Sequence, residues 1–292
     1  MLFNPIKYDE PLFRPPGEGR SAIIQATIGC SWNRCAFCEM YTSKQFKTKP
    51  FNELKGEIDT LSKFYGGVKK VFLGDGDAFA LSSTKLKPIL YEINQNFGRL
   101  QRISAYASPK NILSKTDGEL EELKLLGLKL LYIGIESGDD ELLKLINKGE
   151  THNSTVEAIV KAHNAGIDTS VMIINGLGGR EFSRQHAEGS ALVINKTEPK
   201  FLSTLTLSFP YGIDHYRKRF NGGFVQQSVV EIMEELKIMI EAITADRIIF
   251  RSNHVSNNVA LSGTLRKDKN RLIHTIEDTI NETPASLMFG MI

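Results

Sequence analysis

A short apolar strand, a glycine-rich or polar turn and an amphipathic helix recur along this 292-residue chain, and that rhythm constrains its fold more than any other feature. Segments 22–28, 68–73, 102–107, 128–135, 167–174, 201–208 and 247–250 are rich in β-branched, aromatic and aliphatic residues and read as strands. Helices are expected over 51–65, 82–97, 181–195 and about 267–281, with others ending before Gly127 and at Gly166. Thr116 with Glu119, Ser154 with Glu157 and Ser228 with Glu231 have the spacing of a capping box, in which the first side chain and the third residue satisfy each other's exposed backbone donors. Roughly seven strand–helix units with short connections imply a parallel sheet with right-handed crossovers. The expected class is α/β, as a partial or complete (β/α) TIM-like barrel with parallel strands; a doubly wound open sheet is the alternative.

Side-chain alternation favours the barrel. Along 128–136, Leu131, Ile133 and Ile135 share one aliphatic face, while Leu130, Tyr132, Gly134 and Glu136 share a mixed face that ends in a carboxylate. Ser104 and Tyr106 share a face of strand 102–107, and Thr204, Thr206 and Ser208 lie opposite Leu205 and Leu207. A sheet covered on both sides would read as continuous aliphatic runs. A barrel with a lumen that is polar near its mouth fits better, and its functional residues belong on the loops after the strands.

The composition, 41% hydrophobic and 24% charged, is that of a globular chain, and a net charge of +2 gives no strong nucleic-acid signal. Lys44, Lys47 and Lys49 read as a solvated loop. The first twenty residues are charged and proline-rich, unlike a signal peptide. No apolar run approaches the ~18 residues of a membrane span. The expected organisation is an N-terminal extension (1–20), a core barrel (21–210) and a completion of the same domain (211–292), with no room for a fused cobalamin domain.

The stretch GCSWNRCAFCEMY, residues 29–41, holds all three cysteines in the pattern Cys-x4-Cys-x2-Cys. An odd, tightly clustered set makes a poor disulfide framework and fits a reducing cytoplasm. Buried filler is a poor account of cysteines among Gly29, Ser31, Asn33 and Arg34. A closed zinc site needs four ligands, and only Cys35 and Cys38 form the usual pair. A [4Fe–4S] cube held by Cys30, Cys35 and Cys38 leaves one iron for a small molecule. An iron–sulfur or zinc protein without further chemistry, either an electron-transfer module or a metal-dependent hydrolase, remains the alternative.

With that loop placed after the first strand, the chain resembles the radical S-adenosylmethionine (SAM) enzymes. Their usual motif is Cys-x3-Cys-x2-Cys, often with an aromatic residue before the third cysteine, where this chain has Phe37 and one extra residue in the first spacing. ELKLLGLKLLYIGIESGDDELLKLINKG (122–149) and AHNAGIDTSVMIINGLGG (162–179) resemble the branch with tRNA methylthiotransferases, Elp3-like proteins and coproporphyrinogen dehydrogenases. The resemblance implies an enzyme that reductively cleaves SAM at a [4Fe–4S] cluster, giving a 5′-deoxyadenosyl radical that takes hydrogen from a substrate the sequence does not identify. It also implies a one-electron donor such as flavodoxin or ferredoxin. Carried over, Cys30, Cys35 and Cys38 ligate the cluster, with Phe37 shielding it near the adenine. Gly74, Asp75, Gly76 and Asp77 take the place of the family's contact to the methionyl amine, Glu136 that of a ribose contact, and Asn175 and Gly176 lie near the adenine. Ser104 and Tyr106 join this cofactor-binding set. At the expected mouth, Tyr211 and His254 are candidate catalytic groups and Arg251, Asn253 and Asn257 candidate substrate contacts, whereas His163 and His186 read as structural. With every cysteine in one motif no second cysteine-held cluster is expected, which argues against methylthiotransferase chemistry.

Overall fold

Local signals become elements in a mixed α/β chain, of which the computed structural model describes residues 5–210 and 212–283; Tyr211 lies outside the described residues. Eight strands form a mostly parallel sheet. The chain divides into two compact units, the first holding residues 1–33, 38–133 and 160–169 and the second holding 34–37, 134–159 and 170–292. Among the described residues no helix is long and apolar enough to cross a membrane.

The first unit runs through β1 (Ala22–Gln25), β2 (Thr27–Ile28), β3 (Lys47–Thr48), α1 (Phe51–Tyr65), β4 (Lys70–Gly74), α2 (Ser83–Asn96), β5 (Arg102–Tyr106), α3 (Pro109–Leu113), α4 (Asp117–Leu125) and most of β6 (Leu128–Glu136). β1, β4, β5 and β6 are parallel neighbours, in register at Ile24 with Leu73, Leu73 with Ala105 and Tyr106 with Tyr132. The expected single strand over 22–28 is broken at Ala26, whose N–H turns to the Gly74 carbonyl at 2.7 Å. Thr27 and Ile28 then pair antiparallel with Thr48 and Lys47, so the cysteine loop leaves and returns through a two-residue ladder. α1 buries Leu54, Ile58 and Leu61, one stripe at helical spacing, and each such side chain contributes about 1.5–3 kcal/mol. The capping box of Thr116 and Glu119 opens α4 as expected. The N-terminal segment packs on these strands through Glu18, which is fully buried and accepts from Ser21, from Arg102 Nη2 at 2.5 Å and from the Tyr132 hydroxyl at 2.7 Å.

The second unit contains α5 (Asp140–Leu145), most of α6 (His152–Asn164) and β7 (Asp168–Asn175), α7 (Gly179–Thr197), β8 (Phe201–Thr206), α8 (Asp214–Arg219), α9 (Val229–Ala242), β9 (Ile249–Ser252), β10 (Leu261–Thr264) and α10 (Leu265–Glu282). β7, β8 and β9 are parallel, but β10 returns antiparallel to β9, with Leu261 opposite Ser252. Residues 253–260 therefore connect a hairpin instead of leading from a strand into a helix. Ser228 and Glu231 form their capping box, whereas Ser154 does not start its helix. Thr151 lies three residues upstream and its Oγ1 takes the Ser154 N–H at 3.0 Å, which moves the start back to His152. Along β8 Leu202 and Thr204 are buried, Ser203, Leu205 and Thr206 are half-buried, and Ser208 beyond its end is exposed.

Candidate active site

In the first unit two carboxylates just past the end of β4 hold the residues on either side of Cys30. Asp75 Oδ2 accepts from the Gly29 N–H at 3.2 Å, and Asp77 Oδ2 accepts from the Ser31 hydroxyl at 2.5 Å and from Asn111 Nδ2 at 2.5 Å. Lys44, near the far end of the loop, donates to Asp75 Oδ2 at 2.8 Å and to the Asp9 carbonyl at 2.6 Å, and Gln25 Nε2 reaches Asp75 Oδ2 at 3.5 Å. Asn33, at φ +45°, closes the loop on itself by donating to the Tyr41 and Lys44 carbonyls at 2.8 and 3.2 Å. The expectation that Lys44 is solvated is therefore wrong. Its ammonium is buried because it finds three acceptors on Asp9 and Asp75; Lys49 is half-buried and paired with Glu57 and Glu53, and only Lys47 of the three is exposed. Gly76 has to be glycine, since a Cβ there would lie 2.6 Å from the Tyr41 ring.

Each carboxylate keeps one oxygen in reserve. Asp75 Oδ1 and Asp77 Oδ1 are buried without a hydrogen-bond partner, which is costly unless something cationic or hydrogen-bonding meets them. Burial pushes the Asp77 carboxyl up to about 6, against the pull of the bonds from Ser31 and Asn111 and of the charges on Lys115 and Lys110. Burial likewise lowers Lys115 to about 8; its ammonium donates to the Phe79 carbonyl at 2.8 Å. Burial, then the Asp75 charge, raises Tyr41 and Tyr106.

The sign of the Asp77 effect gives a test. Between its ordinary value of 3.8 and about 6 the folded chain holds a proton that the unfolded chain has released. Stability contributed by that proton is present below the lower value and is lost as pH rises through the window. Asp77→Asn, whose amide oxygen still accepts from Ser31 and Asn111, is expected to flatten this loss. Denaturant melts of iron-free protein at pH 4 to 7 should show the wild type losing on the order of 3 kcal/mol more than the variant.

The other unit-one candidates are less open. Ser104 is fully buried with its hydroxyl toward the Val71 carbonyl at 3.5 Å. The Tyr106 ring packs edge-on against Phe72 and Tyr132, at 5.1 and 6.2 Å between centroids.

In the second unit Glu136 ends β6 at φ +62°, a left-handed conformation uncommon for a residue with a side chain. Its carboxylate folds back over Gly134, where a Cβ would lie 2.0 Å from Glu136 Oε1. Oε1 pairs with Lys148 at 2.9 Å, while Oε2 is buried without a partner. The Lys148 ammonium also stands 6.0 Å from the Phe37 ring centre. The segment bearing Cys35 is held by the Ala36 N–H donating to the Ile146 carbonyl at 2.8 Å, by Asn147 on the Arg34 carbonyl at 3.1 Å and by His215 at 3.0 Å from the Ala36 carbonyl. Asn175 is buried and in register with Thr206, and Gly176, at φ +79°, begins the following turn. Of the late residues, Arg251, Asn253 and His254 are exposed, the Arg251 guanidinium lying 5.4 Å from the Phe201 ring centre. His254 Nδ1 accepts from the Ser256 N–H at 3.1 Å. Asn257 is turned back onto β8, donating to the Thr204 carbonyl at 2.8 Å and accepting from the Thr206 hydroxyl at 3.1 Å, so it shapes the hairpin. Ser31, Lys44, Asn111 and Lys148 belong to these clusters and were not singled out as site residues from the sequence; each meets its partner across 12 to 46 residues of chain.

Cys30 and Cys38 lie in the first unit and Cys35 in the second. None is in a disulfide and all three are partly exposed. Among the described residues no three His, Cys, Asp or Glu side chains are gathered at metal-holding distance. The donor types nonetheless fit an iron–sulfur cube with one iron left for another ligand, and the partnerless oxygens of Asp75 and Asp77 fit a cationic amine.

A sequence model of the Radical SAM superfamily matches residues 24–188, more than half of the chain. A putative methylthiotransferase of Methanocaldococcus jannaschii is 23% identical over 155 residues, 51% of this chain and 34% of that protein. The heme chaperone HemW of Bacillus subtilis is 25% identical over 165 residues, 55% of this chain and 44% of that protein. The chain thus spans less than half the length of these curated relatives. The coproporphyrinogen III oxidase HemN of Escherichia coli superposes with a TM-score of 0.54 at 18% identity, over 68% of this chain and 46% of that one, and the shared fold is the partial (β/α) barrel.

Proposed function

The chain belongs to the radical SAM superfamily, whose members are enzymes that use a [4Fe–4S] cluster and SAM, and from that premise we propose how its own residues serve that chemistry. Cys30, Cys35 and Cys38 would hold the cluster, which when bound supplies the electron that breaks the sulfur–carbon bond of SAM. Asp75 and Asp77 receive the methionyl ammonium on their partnerless oxygens, with Asp77 also bracing Ser31 and Asp75 bracing Gly29. Glu136, held by Lys148, accepts from the ribose hydroxyls on its remaining oxygen, and Asn175 and Gly176 line the adenine. Phe37 excludes water beside the cluster. Arg251, exposed on β9, and Asn253 and His254, exposed just beyond it, meet a substrate that then loses a hydrogen atom. Radical SAM enzymes need a reductant, and flavodoxin or ferredoxin in a reducing cytoplasm would supply it.

The single observation that carries this reading is the pair of buried carboxylates flanking Cys30, each with one oxygen bonded to the cysteine loop and one without a partner. A metal module without SAM chemistry offers Asp77 Oδ1 no partner, and Asp75 Oδ1 only the neighbouring Tyr41 hydroxyl. The test is anaerobic reconstitution followed by SAM and a strong reductant, with 5′-deoxyadenosine measured by chromatography. Release of 5′-deoxyadenosine is expected; a fully loaded cluster that gives none rejects the reading in favour of an electron-transfer module. Stoichiometric zinc with no iron uptake favours a hydrolase.

A further inference from the structure

A chain of wholly buried polar side chains runs through the second unit between the ends of two strands. At one end, Ser137 follows Glu136 and its hydroxyl accepts from the Asp139 N–H at 3.1 Å. His186 of α7 places Nδ1 2.8 Å from that hydroxyl and Nε2 3.7 Å from Glu235 Oε1 of α9. At the other end, Glu235 Oε1 accepts from the Gly176 N–H at 2.7 Å. Ser137, His186 and Glu235 are 0%, 1% and 2% exposed, so no solvent competes with any link. Donor and acceptor capacity give the chain one direction. Glu235 Oε1 already accepts from the Gly176 N–H, so a His186 Nε2–H turned toward that oxygen leaves Nδ1 to accept from the Ser137 hydroxyl. The contact of 3.7 Å is too long for a hydrogen bond and acts as a dipole on a charge, which is strong in a dry interior.

We infer that His186 and Glu235 are positioning residues that hold the Glu136 turn and the Asn175–Gly176 turn in one fixed relation, and so set the affinity for SAM. This rests on the reading that those two turns contact SAM. Two independent features support a positioning role over simple stability. First, the Ser137–Asp139 turn is seated on α7 by backbone contact: a Cβ on Gly138 would lie 2.0 Å from the Gly189 carbonyl oxygen. The Gly138 N–H also donates to Ser190 Oγ at 3.1 Å. Second, Glu235 Oε2 is buried without a partner. A half-satisfied buried carboxylate is a poor stabiliser, and apolar side chains of similar volume often do as well or better. What it supplies that they cannot is an acceptor facing both Gly176 and His186.

The experiment uses the reconstituted holoenzyme, with SAM affinity read by equilibrium dialysis and hydrogen exchange read by mass spectrometry. Glu235→Leu should weaken SAM binding by about ten-fold or more, with the iron content unchanged. Glu235→Gln, whose amide oxygen still accepts from Gly176, should stay within about three-fold of wild type. Ser137→Ala, at the opposite end, should weaken binding and also speed exchange in the peptide over 174–180. Wild-type affinity in folded Glu235→Leu overturns the inference. Where that variant does not fold, unchanged affinity and unchanged exchange at 174–180 in Ser137→Ala overturn it. Wild-type protein that binds no SAM rejects the proposed function, and exchange at 174–180 then decides alone whether the two turns are coupled.

Discussion

Cys38→Ala protein, reconstituted anaerobically beside the wild type, is expected to take up no stable cluster, to lack the broad absorbance near ~400 nm and to release no 5′-deoxyadenosine. Wild-type protein should carry about four irons and four sulfides. The size of the effect follows from the donor count. The chain has three cysteines, all in the motif, so no other thiol can take the vacated iron. A serine hydroxyl in its place would have to lose a proton it holds far more tightly than a thiol does, and Cys38→Ser should fail similarly. Asp77→Asn provides the contrast. Its amide oxygen still braces Ser31 and Asn111, so iron is retained, but the negative charge facing the methionyl ammonium is gone and SAM affinity falls. Iron lost in one variant and SAM affinity lost in the other separates the residues that hold the cluster from those that hold its ligand. Full iron in Cys38→Ala would remove Cys38 from the ligand set.

What the sequence made legible was what acts over a few residues. The capping boxes at Thr116 and Ser228 are three-residue patterns and formed as read. Ser154 failed because Thr151 offers the same chemistry three residues upstream, and a periodic pattern does not say which of two caps the chain takes. β10 was missed because Leu261–Thr264 is four residues long with Gly263 inside it, too short for alternation to register, and it exists by pairing with β9. At the expected site, the motif positions of Cys30, Asp75, Asp77 and Glu136 were visible because each sits at or just past the end of a strand. Their partners were not. Asn111 reaches Asp77 across 34 residues and His215 reaches the Ala36 carbonyl across 179, and neither has a local signature. Lys44 was misread for the same reason: a lysine among polar loop residues looks solvated until the fold brings Asp9 and Asp75 to it.

That lysine carries a large expected effect on stability. Lys44→Met keeps the aliphatic stem and removes the ammonium, leaving Asp75, which is 0% exposed, to the Gly29 N–H at 3.2 Å and Gln25 at 3.5 Å. Breaking a buried pair from one side strands the other charge, and a loss of about 3–5 kcal/mol is expected in denaturant melts. The Asp9 carbonyl and carboxylate lose their cation together, so the N-terminal segment should be released as well, with faster proteolysis before Arg20 as the local readout. Lys44→Met combined with Asp75→Asn should recover part of the loss, because the stranded charge is gone while an amide oxygen still accepts from Gly29. Reconstitution should suffer in the single variant beyond its loss of stability, since Lys44 and Gly29 meet on one carboxylate oxygen and tie the two ends of the cysteine loop together. Iron uptake by Lys44→Met equal to that of the wild type under conditions where both are folded would show that the loop reaches its cluster-binding form without this clasp. A double variant no more stable than Lys44→Met would show that the stranded charge is not the source of the loss.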